Sequence, residues 1–371
     1  MALSAAAAIR TAASNQVASI RLPPIPSISD LVKLYKLKAI KQLSQNFLMD
    51  EKLTGKIVKA AGNLKNGYVF EVGPGPGGIT RSIIMKNPKK IILIEKDKRF
   101  ASALNHLRNA CPPETLDIYW GDVLSFEMSK MIPDEARRDW MDDGIPPIHV
   151  LGNLPFSIST PLIIKWLSAI SSKSNIWSYG RVPLTLTFQQ EVAERLIAEP
   201  SQEQRSRLSV MAQHLCHVYH KFTIPGTAFV PKPDVDVGVV KFVPREEPLI
   251  HRNFSLVEKV VRQTFSMRQK YCRRGVATLF PEMVRVWFTQ EMFRRSGVVT
   301  TRRPFELEMK EFASLCNAYA EICREYPSLS DYNYRGFNPD EEWNSMNGHA
   351  YQAFVLEKQE IRELDPGDPE P

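Results

Sequence analysis

The sequence predicts an α/β fold: a Rossmann-like domain with a parallel, doubly wound sheet, followed by a smaller domain made only of helices. Two observations lead to this prediction. Between residues 68 and 189, short apolar runs alternate with helical patterns, as expected for parallel strands joined by crossover helices. After residue 245 the apolar residues recur only at helical spacing, which indicates a separate helical domain.

The order of elements follows from these patterns. The predicted strands are Tyr68–Val72, Ile91–Glu95, Leu116–Trp120, Ile148–Leu151 and Leu184–Gln189, with His217–Ile224 and Val237–Val243 as an antiparallel edge pair. The predicted helices are Asp30–Lys41, Glu51–Ala61, one after Gly78, Lys98–Asn109, Thr160–Ile170, Phe254–Phe265, Arg274–Leu279, Met283–Arg295 and Phe305–Glu325. Residues 44–50 are expected to form a polar loop.

Composition narrows the class of protein. The chain has 371 residues, 43% hydrophobic and 24% charged, as in globular proteins. No stretch approaches the roughly 18 uninterrupted apolar residues of a membrane-spanning helix. The five cysteines form no C-x-x-C pair, which predicts reduced thiols and no cysteine-based zinc site.

Charge divides the chain into a basic body and an acidic tail. The net charge is +7, but the segment from Asp331 to the C terminus has ten acidic and three basic residues. Residues 1–330 therefore carry an excess of fourteen positive charges, which favours phosphate-bearing partners. Residues 1–29 contain no Asp or Glu and are rich in Ala and Ser, as is typical of a mitochondrial transit peptide; a disordered arm is the alternative.

A glycine-rich turn follows the first strand at Gly73-Pro74-Gly75-Pro76-Gly77-Gly78, where a helix is predicted to begin. Glycines let a backbone approach a ligand closely. Gly73, Gly75 and Gly78 also satisfy the dinucleotide pattern G-x-G-x-x-G, and Glu95 stands 22 residues after Gly73, where an NAD-binding protein has its ribose-binding acid. Two prolines in the turn fit a pyrophosphate poorly and favour a cofactor without phosphate, such as S-adenosylmethionine.

Two further acids end the second and third strands. Glu95 could hold the ribose hydroxyls of that cofactor through charge-assisted hydrogen bonds, and Asp122 could accept from the adenine amino group. Lys96 and Val123 flank these carboxylates and would line the adenosine pocket. Taken alone, Asp122 is better explained as an acid that caps a loop or a helix.

The tetrapeptide Asn153-Leu154-Pro155-Phe156 follows the apolar run 148–151, and ligands of open α/β sheets bind at this edge. The Asn153 carbonyl and a neighbouring backbone carbonyl could accept both hydrogens of an exocyclic amino group, adenine N6 or cytosine N4. Pro155 stiffens the loop, and Phe156 offers a face for a base taken out of its stack. The alternative is an ordinary Asn-Pro turn followed by a core Phe.

Four separated motifs resemble, in order and spacing, the ribosomal RNA adenine dimethyltransferase family, which includes bacterial KsgA and the mitochondrial transcription factor B proteins. The motifs are Gln45-Asn46-Phe47-Leu48, Glu71-Val72-Gly73-Pro74-Gly75-Pro76-Gly77, Asn153-Leu154-Pro155-Phe156 and Phe229-Val230-Pro231-Lys232-Pro233. The residues 43–46, 187–195 and 204–208 look most like the mitochondrial dimethyladenosine transferase branch. The resemblance covers roughly residues 30 to 330.

This resemblance implies an S-adenosylmethionine-dependent enzyme that dimethylates N6 of two adjacent adenosines in a hairpin loop near the 3′ end of small-subunit rRNA. By similarity, the residues that cover the cofactor are Gln45, Asn46 and Leu48, and those that contact its methionine part are Gly73 and Gly75. Its ribose is held by Glu95 and Lys96, and its adenine by Asp122 and Val123. Asn153 lies near the sulfonium. Asn153, Leu154, Pro155 and Phe156 would position the target amine, with Phe229 as a second stacking face.

The predicted domains are a transit peptide or arm at 1–29, a methyltransferase domain at 30–245, an RNA-binding helical domain at 246–328 and an acidic, disordered tail at 329–371. RNA contacts are expected from basic residues of the helical domain: Arg262, Arg268, Lys270, Arg273, Arg274, Arg294, Arg295, Arg302 and Arg303. His214, Cys216, His217 and His220 match no standard zinc spacing and are interpreted as packing residues.

The expected function is dimethylation of mitochondrial small-subunit rRNA, within the mitochondrial matrix and in support of subunit assembly. Immature small ribosomal subunits are the expected partners, and the protein is expected to be a monomer without a membrane span. An alternative is a mitochondrial transcription accessory factor that keeps the methyltransferase fold, and one protein could perform both roles. A Rossmann dehydrogenase is disfavoured by the proline-rich turn.

Overall fold

The computed structural model describes residues 22, 24, 46–48 and 50–334. The predicted transit peptide apart from residues 22 and 24, the predicted helix at 30–41, Gln45 and the acidic tail from residue 335 lie outside the described residues. None of the helices in the described part of the chain combines the length and apolar character needed to cross a bilayer.

The described chain divides into two compact units, each built from segments that are not contiguous in sequence. The first comprises the described part of Met1–Thr160 with Val182–Gln189 and Lys221–Lys241. The second comprises Pro161–Arg181, Gln190–His220 and the described part of Phe242–Pro371.

Seven strands of the described residues form one sheet, and two short strands pair separately. The strands are β1 Phe47–Leu48, β2 Tyr68–Val72, β3 Lys90–Glu95, β4 Leu116–Trp120, β5 Ile148–Gly152, β6 Leu184–Gln189, β7 Cys216–Ile224, β8 Phe229–Val230 and β9 Val237–Pro244. The sheet has the order β4-β3-β2-β5-β6-β9-β7, and the pairs from β4 to β6 are parallel. The predicted doubly wound α/β class is confirmed.

Eight of the ten α-helices in the described residues fall where the periodicity predicts them, with shifted ends, whereas those at Gln190–Ile197 and Arg207–Gln213 were not predicted. The ten are α1 Glu51–Ala61, α2 Gly78–Ile84, α3 Ala101–Asn109, α4 Phe156–Ser171, α5 Gln190–Ile197, α6 Arg207–Gln213, α7 Phe254–Thr264, α8 Cys272–Val276, α9 Arg285–Ser296 and α10 Met309–Glu325. Asp50 caps α1, because its side chain accepts hydrogen bonds from the Lys52 and Leu53 amides at 2.8 and 3.0 Å. Phe305 is not part of α10: it lies in a short 3₁₀ turn, Pro304–Glu306, so the predicted start of that helix is wrong.

Two predictions about the sheet need correction. The predicted polar loop at 44–50 contains β1, which pairs antiparallel with β8, with Phe47 opposite Val230 and Leu48 opposite Phe229. The proline-rich segment between β7 and β9 is therefore more than a connection, because it supplies β8. The two strands predicted as an edge pair are neighbours at one side of the sheet: β7 is the edge strand, and β9 lies between β6 and β7.

The interior of the first unit is apolar and holds the central strands rigidly. Val69, Ile91 and Leu151 are completely or almost completely buried, as are Ile57 and Val58 on α1. Burial of side chains of this size contributes roughly 1.5–3 kcal/mol each. This packing fixes the loops that leave the carboxyl ends of the strands.

In the second unit, a buried arginine joins separate segments. Arg205 is 1% exposed, and its Nη atoms donate to the carbonyl oxygens of Ala198 at 2.8 Å and Leu307 at 3.3 Å. A guanidinium group can satisfy several carbonyls at once because it presents five donors in a fixed plane. Arg205 thus links the segment after α5 to the segment before α10.

Candidate active site

Sheet register brings the predicted motifs together at one edge. Val72 is opposite both Ile94 and Gly152, and Glu95 is opposite Trp120. The residues that follow these strand ends, including Gly73, Asn153 and Asp122, therefore lie side by side. The structure groups in three dimensions what the sequence separates by up to 80 positions.

Within residues 73–77, the glycine turn has no backbone N–H left for a phosphate. The Gly73 amide donates to Ile94 O at 3.0 Å, the Gly75 amide to the Glu95 carboxylate at 2.9 Å, and the Gly77 amide to Pro74 O at 2.9 Å. Pro74 and Pro76 have no N–H. A pyrophosphate bound here would lose its water shell without gaining donors, which argues against the dinucleotide interpretation.

The same turn requires glycine for steric reasons. Gly73 and Gly75 have φ values of +65° and +55°, a region that other residues adopt at a cost. A Cβ on Gly75 would also lie 3.1 Å from the Phe47 ring. The backbone of the turn can therefore approach a ligand closely, on one side of the cavity.

Two buried carboxyl groups stand beside this turn. Glu95 is 4% exposed, and its two oxygens accept from the Gly75 amide at 2.9 Å and the Asp97 amide at 2.8 Å. Burial raises the pKa of Glu95, although the backbone amides oppose this effect. Each carboxylate oxygen keeps a lone pair that can accept a hydroxyl proton, as binding of a ribose would require.

Glu71 is the second buried carboxyl group, and sequence reasoning did not single it out as a site residue. It is 1% exposed, and the Thr80 hydroxyl donates to it at 2.6 Å. Burial raises the pKa of Glu71 to about 8, with a further contribution from the nearby Glu95. Its position two residues before Gly73 was the available signal.

Asp122, Lys96 and Val123 line the cavity. The Asp122 Oδ1 accepts from the Leu124 amide at 2.9 Å, and its Oδ2 pairs with Lys96 Nζ at 2.9 Å. The Lys96 side chain is 77% exposed, so this ion pair is weak and can yield to another donor. Val123 is buried and supplies an apolar wall.

Asn153 is held in one orientation by two neighbours. Its Nδ2 donates to the Asn46 carbonyl oxygen at 2.9 Å, and its Oδ1 accepts from the Thr187 hydroxyl at 2.7 Å. Sequence reasoning did not identify Thr187 as a partner of Asn153. An amide oxygen can accept two hydrogen bonds, so Asn153 can still accept one from a substrate amine.

Of the other three residues of the tetrapeptide, two line the cavity and one does not. Leu154 and Pro155 line the cavity with Asn153, but Phe156 is the first residue of α4 and packs, half-buried, against the hydrophobic core. Phe229 is 2% exposed and belongs to that core. The structure therefore buries the face on which Phe229 was expected to stack a base, and that expectation is wrong for this conformation.

Asn46 and Leu48 also line the cavity, on the segment that forms β1. The pairing of β1 with β8 and the Asn46–Asn153 hydrogen bond hold this segment beside the strand ends. Gln45, the third residue predicted to cover the cofactor, lies outside the described residues.

The cavity fits S-adenosylmethionine. It encloses about 1120 Å³ free of protein atoms, part of which is space open to solvent. Its walls combine buried carboxyl groups, a glycine turn whose amides at residues 73–77 are bonded or replaced by proline, and apolar residues. This donor set suits a ligand with hydroxyl, amino and sulfonium groups and no phosphate.

Comparison with known proteins decides the family. The model of the ribosomal RNA adenine dimethylase family matches residues 36–317. This chain belongs to that family.

Relatives of this adenine dimethylase are similar over almost their whole length. The mitochondrial dimethyladenosine transferases 1 of Xenopus tropicalis and Homo sapiens are each 53% identical over 324 residues, which cover 87% of this chain and 93% of theirs. The Drosophila melanogaster protein of the same description is 50% identical over 319 residues, which cover 85% and 94%.

Solved structures agree on the fold of the adenine dimethylase. A dimethyladenosine transferase from Plasmodium falciparum has a TM-score of 0.57 and 21% identity, and covers 76% of this chain and 98% of its own. The 23S rRNA methyltransferase ErmE has a TM-score of 0.51 and 21% identity, with 74% and 99% covered. The predicted fold class is confirmed, and the cofactor of this adenine dimethylase is S-adenosylmethionine.

Basic residues predicted to contact RNA differ in how their charge is compensated. Arg294 and Arg295 pair with Glu291 at 2.7 and 2.6 Å, and Arg302 pairs with Glu311 at 2.6 Å. Among the described residues no carboxylate forms an ion pair with the exposed members of the set: Arg262, Lys270, Arg273, Arg274 and Arg303. These five are the exposed members of the predicted set whose charge no described carboxylate pairs with.

Of the histidine and cysteine cluster predicted to consist of packing residues, two members are buried, whereas His217 is exposed and His220 is half-buried. His214 and Cys216 are 1% and 0% exposed, and burial lowers the pKa of His214 to about 4. Within residues 50–334 and the shorter described segments, no group of three or more potential ligands is arranged to hold a metal ion.

Proposed function

We propose that this adenine dimethylase transfers two methyl groups to N6 of each of two adjacent adenosines in the 3′-end hairpin loop of mitochondrial small-subunit rRNA. It would act in the mitochondrial matrix as a monomer, on immature small subunits, and support their assembly. The names of the relatives support mitochondrial rRNA as the substrate. The observation that carries the proposal is the fixed Asn153 amide beside a cavity suited to S-adenosylmethionine.

The chemistry assigns a clear task to Asn153. The lone pair of adenine N6 is delocalised into the ring, so this nitrogen is a poor nucleophile. Asn153 Oδ1, by accepting a hydrogen bond from N6, would favour a more tetrahedral nitrogen with a more available lone pair. Leu154 and Pro155 would hold the base at the mouth of the cavity.

The remaining residues would hold the cofactor and need not remove a proton. When bound, S-adenosylmethionine supplies a methyl group on a positively charged sulfur. Glu95 would accept hydrogen bonds from its ribose, Asp122 and Val123 would bind its adenine, and Gly73 and Gly75 would contact its methionine part. No strong base is required, because the amine proton becomes acidic once the nitrogen carries a new bond.

The proposal is tested with an RNA hairpin that carries two adjacent loop adenosines and with radiolabelled S-adenosylmethionine. We expect wild-type protein to form N6,N6-dimethyladenosine, and Asn153→Ala to lose at least roughly 100-fold in rate, as when an electrostatic contact to the reacting group is removed. Asn109→Ala, on an exposed position of α3, is the matched control and should retain full activity.

Cofactor affinity distinguishes the outcomes of that test. If Asn153→Ala binds S-adenosylmethionine normally but transfers nothing, the role of Asn153 in the reaction stands. If wild-type protein binds cofactor and RNA but transfers no methyl group, even to immature small subunits, the proposal fails and the transcription accessory role takes its place.

A further inference from the structure

Thr187 lies on β6, directly behind Asn153, and its side chain has a specific partner. It is 0% exposed, and its hydroxyl lies 2.7 Å from Asn153 Oδ1. The β5–β6 register, which pairs Gly152 with Leu186, brings Thr187 next to Asn153. Packing alone does not require a hydroxyl at this buried position, whereas a hydrogen bond to the loop that carries Asn153 does.

The bond at the other end of the amide fixes its orientation. The carbonyl oxygen of Asn46 can only accept, so the atom 2.9 Å from it must be the amide nitrogen of Asn153. The amide oxygen must then face Thr187, whose hydroxyl donates to it. Asn46 and Thr187 together exclude the flipped amide, which would present N–H groups to the substrate.

This orientation decides what the loop can recognise. An amide oxygen accepts from the amino group of adenine, whereas an amide nitrogen would repel it. The Thr187 hydroxyl also occupies one of the two lone pairs of Asn153 Oδ1, which leaves one lone pair for the substrate. The acceptor therefore points in a defined direction rather than rotating freely.

We propose that Thr187 is a positioning residue for methyl transfer, and that its hydroxyl holds the Asn153 amide with the oxygen presented to the target amine. This inference rests on the proposed function of the site. It has a particular consequence for the second transfer. N6-methyladenosine has one remaining N–H, so its alignment depends on a single donor and is more sensitive to a misplaced acceptor than that of adenosine.

The test compares three variants of the full chain with wild type, in the hairpin methylation assay described above. Thr187→Val removes the hydroxyl at nearly constant volume, and Thr187→Ser restores it. Thr185→Val makes the same change two residues earlier on β6, at a position that is equally buried. Thermal unfolding and S-adenosylmethionine affinity are measured for each, so that a misfolded variant is recognised.

For Thr187→Val we expect a fall in kcat of about tenfold, comparable to the loss of one hydrogen bond in the transition state. The KM for RNA and the cofactor affinity should stay within about twofold of wild type. The ratio of monomethyl to dimethyl product should rise. Thr187→Ser should recover most of the rate, and Thr185→Val should leave both rate and product ratio unchanged.

Three results would overturn the proposal. In the first, Thr187→Val keeps the wild-type kcat and product ratio. In the second, Thr187→Ser is as impaired as Thr187→Val, so that the methyl group rather than the hydroxyl matters. In the third, Thr185→Val is equally impaired, which would indicate general strain in β6. Absence of transfer by wild type would instead refute the proposed function, and this inference with it.

Discussion

Replacing Glu95 with glutamine separates cofactor binding from stability. In wild type each carboxylate oxygen of Glu95 accepts one backbone amide, from Gly75 and from Asp97. In Glu95→Gln one of these amides faces an NH₂ group, and a buried donor without a partner costs about 1–3 kcal/mol. Loss of the buried charge opposes this cost, because burial raises the pKa of Glu95 and so disfavours its ionised form.

These opposing contributions should leave the free energy of unfolding without cofactor near the wild-type value. Cofactor affinity has no such compensation. Hydrogen bonds to a charged group contribute about 1.5–3 kcal/mol, and the neutral amide loses the charge assistance for the ribose hydroxyls. At about 1.4 kcal/mol per tenfold, we expect the Kd for S-adenosylmethionine to rise roughly 10- to 100-fold.

Isothermal titration calorimetry measures this change, with thermal unfolding as the check on stability. Glu127→Gln, an exposed carboxylate paired with Lys130, is the matched control and should bind normally. The second comparison uses S-adenosylhomocysteine and an analogue of it that lacks the two ribose hydroxyls. Glu95→Gln should lose little affinity for this analogue. A Kd within threefold of wild type for S-adenosylmethionine would refute the assignment of Glu95 to the ribose.

Two further predictions concern stability. The pKa of Glu71 is about 8 in the folded protein, against an ordinary value of 4.5, so the folded state keeps a proton on Glu71 that the unfolded state loses between these pH values. The stabilising contribution of the protonated group is therefore present at low pH and lost as the pH rises through 8. Between these pH values the free energy of unfolding of the cofactor-free protein should fall by up to ~1.4 kcal/mol per pH unit, and Glu71→Gln should lack this dependence in urea titrations. Wild type and Glu71→Gln with the same change of unfolding free energy with pH would contradict the prediction. Gly275→Ala should destabilise the protein by more than ~2 kcal/mol, because its Cβ would lie 2.5 Å from Gln263 O and still nearer to Thr264 O. Gly55→Ala, inside α1 with open space around it, should stabilise by about 0.5–1 kcal/mol, and equal effects of the two substitutions in urea denaturation would refute the argument.

The strands of the sheet could be predicted because their signal is local. Residues 68–72 and 116–120 are short runs of β-favouring residues closed by polar or glycine residues, and the structure has strands at those bounds. β1 and β8 were missed because two residues have no periodicity. Their pairing depends on a fold that brings residues 47 and 230 together.

The sequence could indicate which residues lie at the site, but not which hydrogen bonds they form. Glu95, Asp122 and Asn153 follow strands, so their common edge could be inferred. The partners of Asn153 stand 107 and 34 residues away, and no spacing in the sequence indicates them. Likewise, the pairing of Arg294 with Glu291 has readable helical spacing, whereas that of Arg295 with Glu325 requires two separate helices to pack.

The glycine turn has a consequence for competition among metabolites. ATP and NAD contain the same adenosine as S-adenosylmethionine and are abundant in cells. Every amide of residues 73–77 is either already bonded or replaced by proline, and the carboxyl groups of Glu71 and Glu95 stand alongside. An anionic phosphate chain would meet no free amide among residues 73–77 and would lose its hydration there. The turn thus favours an adenosine cofactor without phosphate over ATP or NAD.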